Sequence, residues 1–217
     1  MEKSELKFLH QGLQFLEISI DNVMLDMLER YHGLLIKWNK TFNLTGLKNP
    51  ADWWIRHFLD SLAVVKFLNS GNLADVGSGA GFPGLPIAIV CPKKAVTLIE
   101  INQKKSIFLR EVCNKLGLTN CTVVRSRVQE YKPVDLFSCV ISRAFADLST
   151  FFDQAKSICK GNGILMAMKG KICDREKLSL PPGVLNTIVE LQVPYLNESR
   201  NLVLMNSFVQ KPGERDD

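Results

Sequence analysis

Two glycine spacings overlap in the run LADVGSGAGFPGLP, Leu73–Pro86. From Gly77 the pattern is GxGxG, with Gly77, Gly79 and Gly81; from Gly79 it is GxGxxG, with Gly79, Gly81 and Gly84. In either pattern the glycines follow a strand and let the backbone come close to a ligand. GxGxxG serves a pyrophosphate at a helix N-terminus, where a carboxylate is unwelcome. Here a carboxylate, Asp75, stands just before the first glycine, and a second, Glu100, ends the next apolar run. An acid at the first position suits a ligand carrying positive charge, by direct contact or by holding loop amides. An acid at the second can accept hydrogen bonds from both hydroxyls of a ribose. S-adenosylmethionine has both features, a sulfonium and a ribose, and no phosphate.

The surrounding elements choose between the two patterns. Apolar residues at Met24, Met27, Leu28, Tyr31, Leu34, Leu35 and Trp38 fall on one face of a helix, with Asp21 as its N-cap. NLTGLKNP interrupts it. A second helix is predicted over PADWWIRHFLDSLAVVKFLN, with Trp54, Phe58, Leu62 and Val65 on one face and Gly71 at its end. From there the period changes. NLADV, AVTLIE, CTVV, DLFSCVIS and ILMAMK read as strands. Helices are predicted from about Pro83 to Val90, over QKKSIFLREVCNKL, and over DLSTFFDQAKSICK, with GNG as a turn after the last. TIVELQVPY and RNLVLMNSF close the chain as two strands with no long helix between them. The expected fold is therefore α/β, a Rossmann-like, mostly parallel sheet with a terminal antiparallel strand, over residues 71–217. A helical extension over residues 1–70 packs on it. A dinucleotide oxidoreductase would open with its glycine strand and add a substrate domain, and Pro83 suits a helix starting slightly late; both points favour GxGxG.

Bulk properties set bounds. The chain has 217 residues, 46% hydrophobic and 23% charged, as in an ordinary globular protein. No apolar run approaches the roughly 20 residues that span a bilayer, and the first residues lack the apolar core of a signal peptide. Six cysteines without a CxxC pair read as buried thiols of a cytoplasmic protein. Three histidines, none near a cysteine pair, predict no metal site. A net charge of +5 is compatible with a polyanionic partner without requiring one.

Several separate segments, in order, resemble the bacterial small-subunit ribosomal RNA methyltransferase family called RsmG or GidB. They are TFNLTG, RHFLDSL at Arg56–Leu62, DVGSGAGFPGLPIAI at Asp75–Ile89, SRVQEY at Ser126–Tyr131, VISRAFADL at Val140–Leu148, MKG, and the LQVPYL and RNLVLM ending. The resemblance implies a class I S-adenosylmethionine-dependent methyltransferase. It implies methyl transfer to N7 of a guanine in the decoding-region loop of 16S rRNA, within the small ribosomal subunit or an assembly intermediate, leaving S-adenosylhomocysteine. Cofactor contacts carried over by position fall on Gly77, Phe82, Val128, Gln129 and Arg143. Gln129 stands where the family often has glutamate, and Glu100 where aspartate is commoner.

The residues agree with that chemistry. Guanine N7 carries no proton, so the methyl acceptor needs no base, and the chain offers no histidine–acid pair. The Asn/Asp-Pro-Pro-aromatic loop used on exocyclic amines is replaced by SRAF, Ser142–Phe145, and no Pro-Cys nucleophile is present. Arg143, ending an apolar strand, is the expected catalytic residue, orienting the guanine edge or the cofactor carboxylate. Phe145 has two readings, core packing or stacking on a flipped base. RNA-contact candidates are Arg56, His57, Lys104, Lys105, Arg125, Arg127, Lys169 and Lys171, each alone a common surface charge but together a phosphate-tracking rim. His57 is more often a structural hydrogen-bonder. Another methyl acceptor, or a non-catalytic RNA- or cofactor-binding module, are the competing readings. A monomer suffices for all of them.

Overall fold

A computed structural model describes residues 3–143, 145, 147–173, 176 and 179–206. Helix α1 (Lys3–Phe15) is followed by α2 (Asn22–Phe42), which Asp21 caps by accepting the Met24 amide at 2.8 Å. The next segment departs from the single helix predicted after Pro50. It is a 3-10 turn at Pro50–Asp52, a π-helical stretch at Trp54–Leu59, a short α3 (Asp60–Leu62) and a 3-10 turn at Val65–Phe67. The wider π winding abolishes a single buried stripe: His57, Asp60 and Ser61 turn inward with Trp54 and Phe58, and Val65 is only half-buried. Such π insertions often lie at functional sites.

The sheet follows as β1 (Leu73–Val76), α4 (Gly84–Val90), β2 (Val96–Ile99), α5 (Gln103–Leu116) and β3 (Cys121–Val124). Then come β4 (Phe137–Arg143), α6 (Leu148–Ala155), β5 (Cys159–Lys169), β6 (Leu185–Glu190) and β7 (Asn201–Asn206). The strand order is β3-β2-β1-β4-β5-β7-β6. All neighbouring pairs are parallel except those of β7, which runs against β5 and β6 on either side. The chain therefore winds one way from β1 to β3 and the other way from β4. The switch point lies between the carboxyl ends of β1 and β4, where such sheets bind ligands.

Some boundaries differ from expectation. The predicted helix over DLSTFFDQAKSICK stops at Ala155 and a 3-10 turn, and Cys159 already pairs with Phe137. The GNG turn lies inside β5 as an irregularity, because the register steps from Phe137↔Cys159 to Cys139↔Ile164. Gly163 is required there: a Cβ would sit 3.0 Å from the carbonyl oxygens of Lys160 and Phe137. Of the last predicted strand, Ser207 and Phe208 lie outside the described residues, as do Ala144 and Ala146 of VISRAFADL. Cys113, Cys139 and Cys159 are buried, whereas Cys91 and Cys121 are half-buried and Cys173 is exposed, so burial does not hold for all six thiols. Among the described residues no helix is long and apolar enough to cross a membrane.

Strand alternation sends side chains to two cores. Leu73, Leu98, Ile141, Met166 and Leu202 face a cluster built with α1, α2, the broken helix, α4 and α5. Ala74, Val76, Val140, Leu165 and Val203 face α6. The N-terminal helices and the sheet thus share one core. At its centre the buried Tyr31 hydroxyl donates to the Ala80 carbonyl of the glycine loop at 2.6 Å, and its ring lies 5.3 Å from that of Phe82. Replacing Tyr31 with Phe leaves that carbonyl without its donor. The expected loss is about 1–3 kcal/mol in urea unfolding at an unchanged slope; unaltered stability would show that the bond contributes nothing.

Candidate active site at the carboxyl end of the sheet

The glycine loop is held by its own backbone and by two acids. After β1, the amides of Gly77 and Ser78 both donate to the Ile99 carbonyl, at 2.9 and 3.2 Å. Gly77, Gly79 and Gly81 all take left-handed conformations, with φ of +71°, +59° and +104°. Gly84 does not, but a Cβ there would lie 2.8 Å from Asp75 Oδ2. The GxGxG glycines thus supply backbone conformation, while the fourth supplies close approach. Glu100 is buried at the end of β2, accepting the Gly79 amide on Oε2 at 2.8 Å and the Asn102 amide on Oε1 at 2.7 Å.

Asp75 is fully buried and holds the far side of the loop, accepting the Gly84 amide on Oδ2 at 2.9 Å. Of the two roles expected for it, holding a loop amide is the one its hydrogen bonding displays. Phe82 lies on the same loop with its side chain turned inward. Its ring is buried against Tyr31, Phe58 and His57, which leaves only its backbone near a ligand.

Two clefts open at the switch point. The smaller, about 190 Å³, collects Gly77, Val128, Gln129, Arg127 and Phe145 from the expected set and adds Ile99, Ile101 and Gln154. A Cβ on Gly77 would meet nothing within 4 Å. Val128 and Gln129 form a 3-10 turn in which Val128 is buried and Gln129 exposed. Phe145 packs on Phe151, ring centroids 5.3 Å apart, and also lines the cleft.

The larger cleft, about 430 Å³, is lined by Arg56, His57, Asp60, Arg143, Lys169 and Arg200 among others. Arg143 donates from Nη1 to Asp60 Oδ2 at 3.3 Å and to the Arg56 carbonyl at 3.1 Å, with its guanidinium 5.1 Å over the Phe82 ring. Its Nη2 lies 3.1 Å from His57 Nδ1. Nδ1 also lies 3.1 Å from the Arg56 carbonyl; because arginine only donates and that carbonyl already accepts Arg143, Nδ1 accepts, and Nε2–H donates to Thr45 Oγ1 at 2.7 Å. Burial, with Arg143 pushing the same way, brings the His57 pKa down to about 3. His57 is therefore buried and neutral, with the hydrogen bonds of a structural histidine. Arg56 is bound to Glu198, and Lys169 to Glu176 and the Phe145 carbonyl. Lys104, Arg125, Arg127 and Lys171 are exposed and Lys105 half-buried; Arg127 pairs with Glu130 at 3.8 Å, and Lys104 lies 5.7 Å from the Phe42 ring.

Asp60 and Arg200 were not foreseen. Asp60 accepts from both Arg143 and Arg200, whose Nε donates to its Oδ1 at 3.1 Å. In sequence it follows Arg56 by four positions, the spacing of an exposed helical ion pair, and only the π winding turns it inward. Arg200 reads as the polar start of a strand.

This arrangement, a glycine loop after the first strand and a β7 inserted antiparallel, is the α/β fold of S-adenosylmethionine-dependent methyltransferases. A methyltransferase of that kind from Aquifex aeolicus superposes with a TM-score of 0.55 at 18% identity, covering 76% of this chain and 97% of its own. Residues 24–203 match the family described as rRNA small subunit methyltransferase G, and the chain belongs to it. The family's protein from Nitrosomonas eutropha is 42% identical over 92% of this chain and 96% of its own length. That from Nitrosococcus oceani is 41% identical over 90% and 92%. The resemblance carried by RHFLDSL, DVGSGAG and VISRAF is thus to the chain's own family.

Burial pushes the Asp75 carboxyl up to about 7, against the pull of the Gly84 amide. The unfolded chain ionises it near its ordinary value of about 3.9, so its stabilising contribution is full below pH 4 and is lost as pH rises through 7. Asp75→Asn keeps an acceptor for Gly84. Relative to the wild type it should gain about 1–3 kcal/mol more at pH 8 than at pH 5. Urea midpoints at the two pH values measure this, and parallel curves would contradict it.

Proposed function

We propose that this protein transfers a methyl group from S-adenosylmethionine to N7 of a guanine in the decoding-region loop of 16S rRNA. The observation that carries the reading is the conformation of the loop. All three GxGxG glycines are left-handed, and Gly77 opens on the cleft that also holds Val128 and Gln129. That cleft, about 190 Å³, suits the nucleoside portion of the cofactor, being smaller than the roughly 300 Å³ at which whole-ligand sites begin. Gln129, Gln154 and the loop backbone give the cleft amide edges that fit a nucleoside, while Glu100 holds the loop through the Gly79 amide. When bound, S-adenosylmethionine supplies an electrophilic methyl group on a sulfonium.

The chain's own part is orientation. N7 presents a lone pair and no proton, so nothing needs to be abstracted. His57 fits this division of labour, since it is neutral and has both ring nitrogens engaged, one by Arg143 and one by Thr45. Arg143 is the residue assigned to the acceptor. Asp60, His57 and the Arg56 carbonyl fix its guanidinium, and its remaining N–H groups can meet O6 of a guanine, which orients the base while leaving the N7 lone pair free. The exposed Lys104, Arg125, Arg127 and Lys171 supply counter-charge for phosphates. A chain this compact reads little RNA by itself, which favours a preassembled small subunit or assembly intermediate as substrate, met by a monomer.

The direct test combines purified protein, labelled S-adenosylmethionine and small subunits from cells lacking the activity, followed by chemical cleavage at N7-methylguanine. One labelled guanine in the decoding-region loop is expected. No label, with cofactor binding demonstrated by calorimetry, would move the reading to another acceptor. Gly77→Ala places a methyl group at φ +71° beside the cleft. It should weaken cofactor binding at least tenfold, with a folding loss of about 1–2 kcal/mol from the left-handed backbone. Unchanged affinity would remove Gly77 from the cofactor site.

A further inference from the structure

Arg56, Arg143, Lys169 and Arg200 line the larger cleft, and each has a carboxylate partner. The partners differ in exposure. The Asp60 side chain is 5% exposed and Glu176 16%, but Glu198, on the connection between β6 and β7, is 48% exposed. Glu198 receives Arg56 on both oxygens, Nη1 at 3.1 Å and Nη2 at 2.5 Å, and Arg200 Nη2 on Oε2 at 3.3 Å. Two guanidiniums converging on one anion, one of them in a two-point fork, is the geometry arginines use for phosphate as well as carboxylate.

Arg200 has anchors besides Glu198, while the Arg56 side chain is held by Glu198 and its backbone by Arg143. Arg200 is fixed by Asp60 through Nε and by the Ser199 carbonyl through Nη1 at 3.0 Å. The Arg56 carbonyl is pinned by Arg143, and its side chain separates the larger cleft from a neighbouring recess lined by Asp52, Ile55 and Tyr195. Asp52 adds a second negative charge on that side of Arg56. Glu198 is thus the most exposed of these carboxylate partners, at the mouth that Arg56 shares between the cleft and the neighbouring recess.

We infer that Arg56 and Arg200 form an anion site at this mouth that takes a backbone phosphodiester of the acceptor RNA, and that Glu198 fills it in the free protein. The identity of the ligand rests on the RNA reading proposed above; the existence of the site does not. The exchange is close to balanced. An exposed ion pair contributes little stability, and a displaced carboxylate returns to water. Hydrogen bonds from Arg56 hold Glu198 below the usual carboxylate range, so it stays an anion under all working conditions. Its presence penalises every RNA that cannot also use the interior of the cleft, which raises selectivity at the expense of bare affinity.

The test is Glu198→Gln, probed with inorganic phosphate by thermal shift and with a short single-stranded RNA by fluorescence anisotropy across a salt series. The variant should bind the RNA about three- to tenfold more tightly at low salt, and its log–log salt slope should steepen by about 0.7, the contribution of one more phosphate. Phosphate should stabilise the variant more than the wild type, and adding Arg56→Gln should cancel both gains. No gain with either probe, while the wild type still methylates small subunits, overturns the site alone. A gain with phosphate but not with RNA overturns the phosphodiester assignment. Gains with both probes, alongside a wild type that labels no subunit, would leave the anion site standing and remove the proposed substrate.

Discussion

One buried carboxylate holds three parts of the molecule together. Asp60 belongs to the helical segment before the sheet, yet it receives Arg143 from the end of β4 and Arg200 from just before β7. Two guanidiniums on one nearly buried acid leave a positive surplus facing the cleft. Removing the acid would strand both charges, an error that typically costs several kcal/mol in an interior. Burial pulls the Asp60 pKa upward while both arginines oppose it, which is the mark of a charge kept by its partners rather than by solvent. Arg143 also lies over Phe82, and Phe82 packs on Tyr31, so the charged network continues into the aromatic core that fixes the glycine loop.

Most of the fold was legible in the sequence because it follows from period and punctuation. CTVV coincides with β3, QKKSIFLREVCNKL with α5, and Gly117 closes that helix in a left-handed conformation. The antiparallel ending followed from two strand patterns without a helix between them. What failed has a physical cause in each case. PADWWIRHFLDSL has helical spacing, but α and π windings share that spacing over one turn, and only packing against α1, α4 and Phe82 selects between them. GNG reads as a turn by composition, whereas its neighbours on β4 hold it in the sheet as an irregularity.

The site was legible in type more than in role. Asp75, Glu100 and the three glycines were marked by spacing alone, and all five act on the same loop. Their division of labour was not visible: both acids bind loop amides, Asp75 that of Gly84 and Glu100 that of Gly79. Arg143 was singled out as an arginine ending an apolar strand, and its carboxylate partner lies 83 residues earlier in the chain. Pairings at such separation leave no local pattern, which is why Asp60 and Arg200 passed unnoticed while the less committed lysines did not.

The position of β7 sets the order in which the protein can become functional during synthesis. β6 leaves the ribosome before β7, yet it has no place in the sheet until β7 lies between it and β5. Until then the β5 edge carries unpaired backbone groups, and the emerging β6 segment has nothing to pair with. Arg200 immediately precedes β7, so one wall of the cationic cleft arrives with the same stretch of chain. The loop, α4 and α5 can form around β1–β3 well before this. A nascent chain can therefore acquire its smaller cleft first and its cationic cleft last, so that a partly made molecule lacks the finished wall of arginines and the acids that balance them.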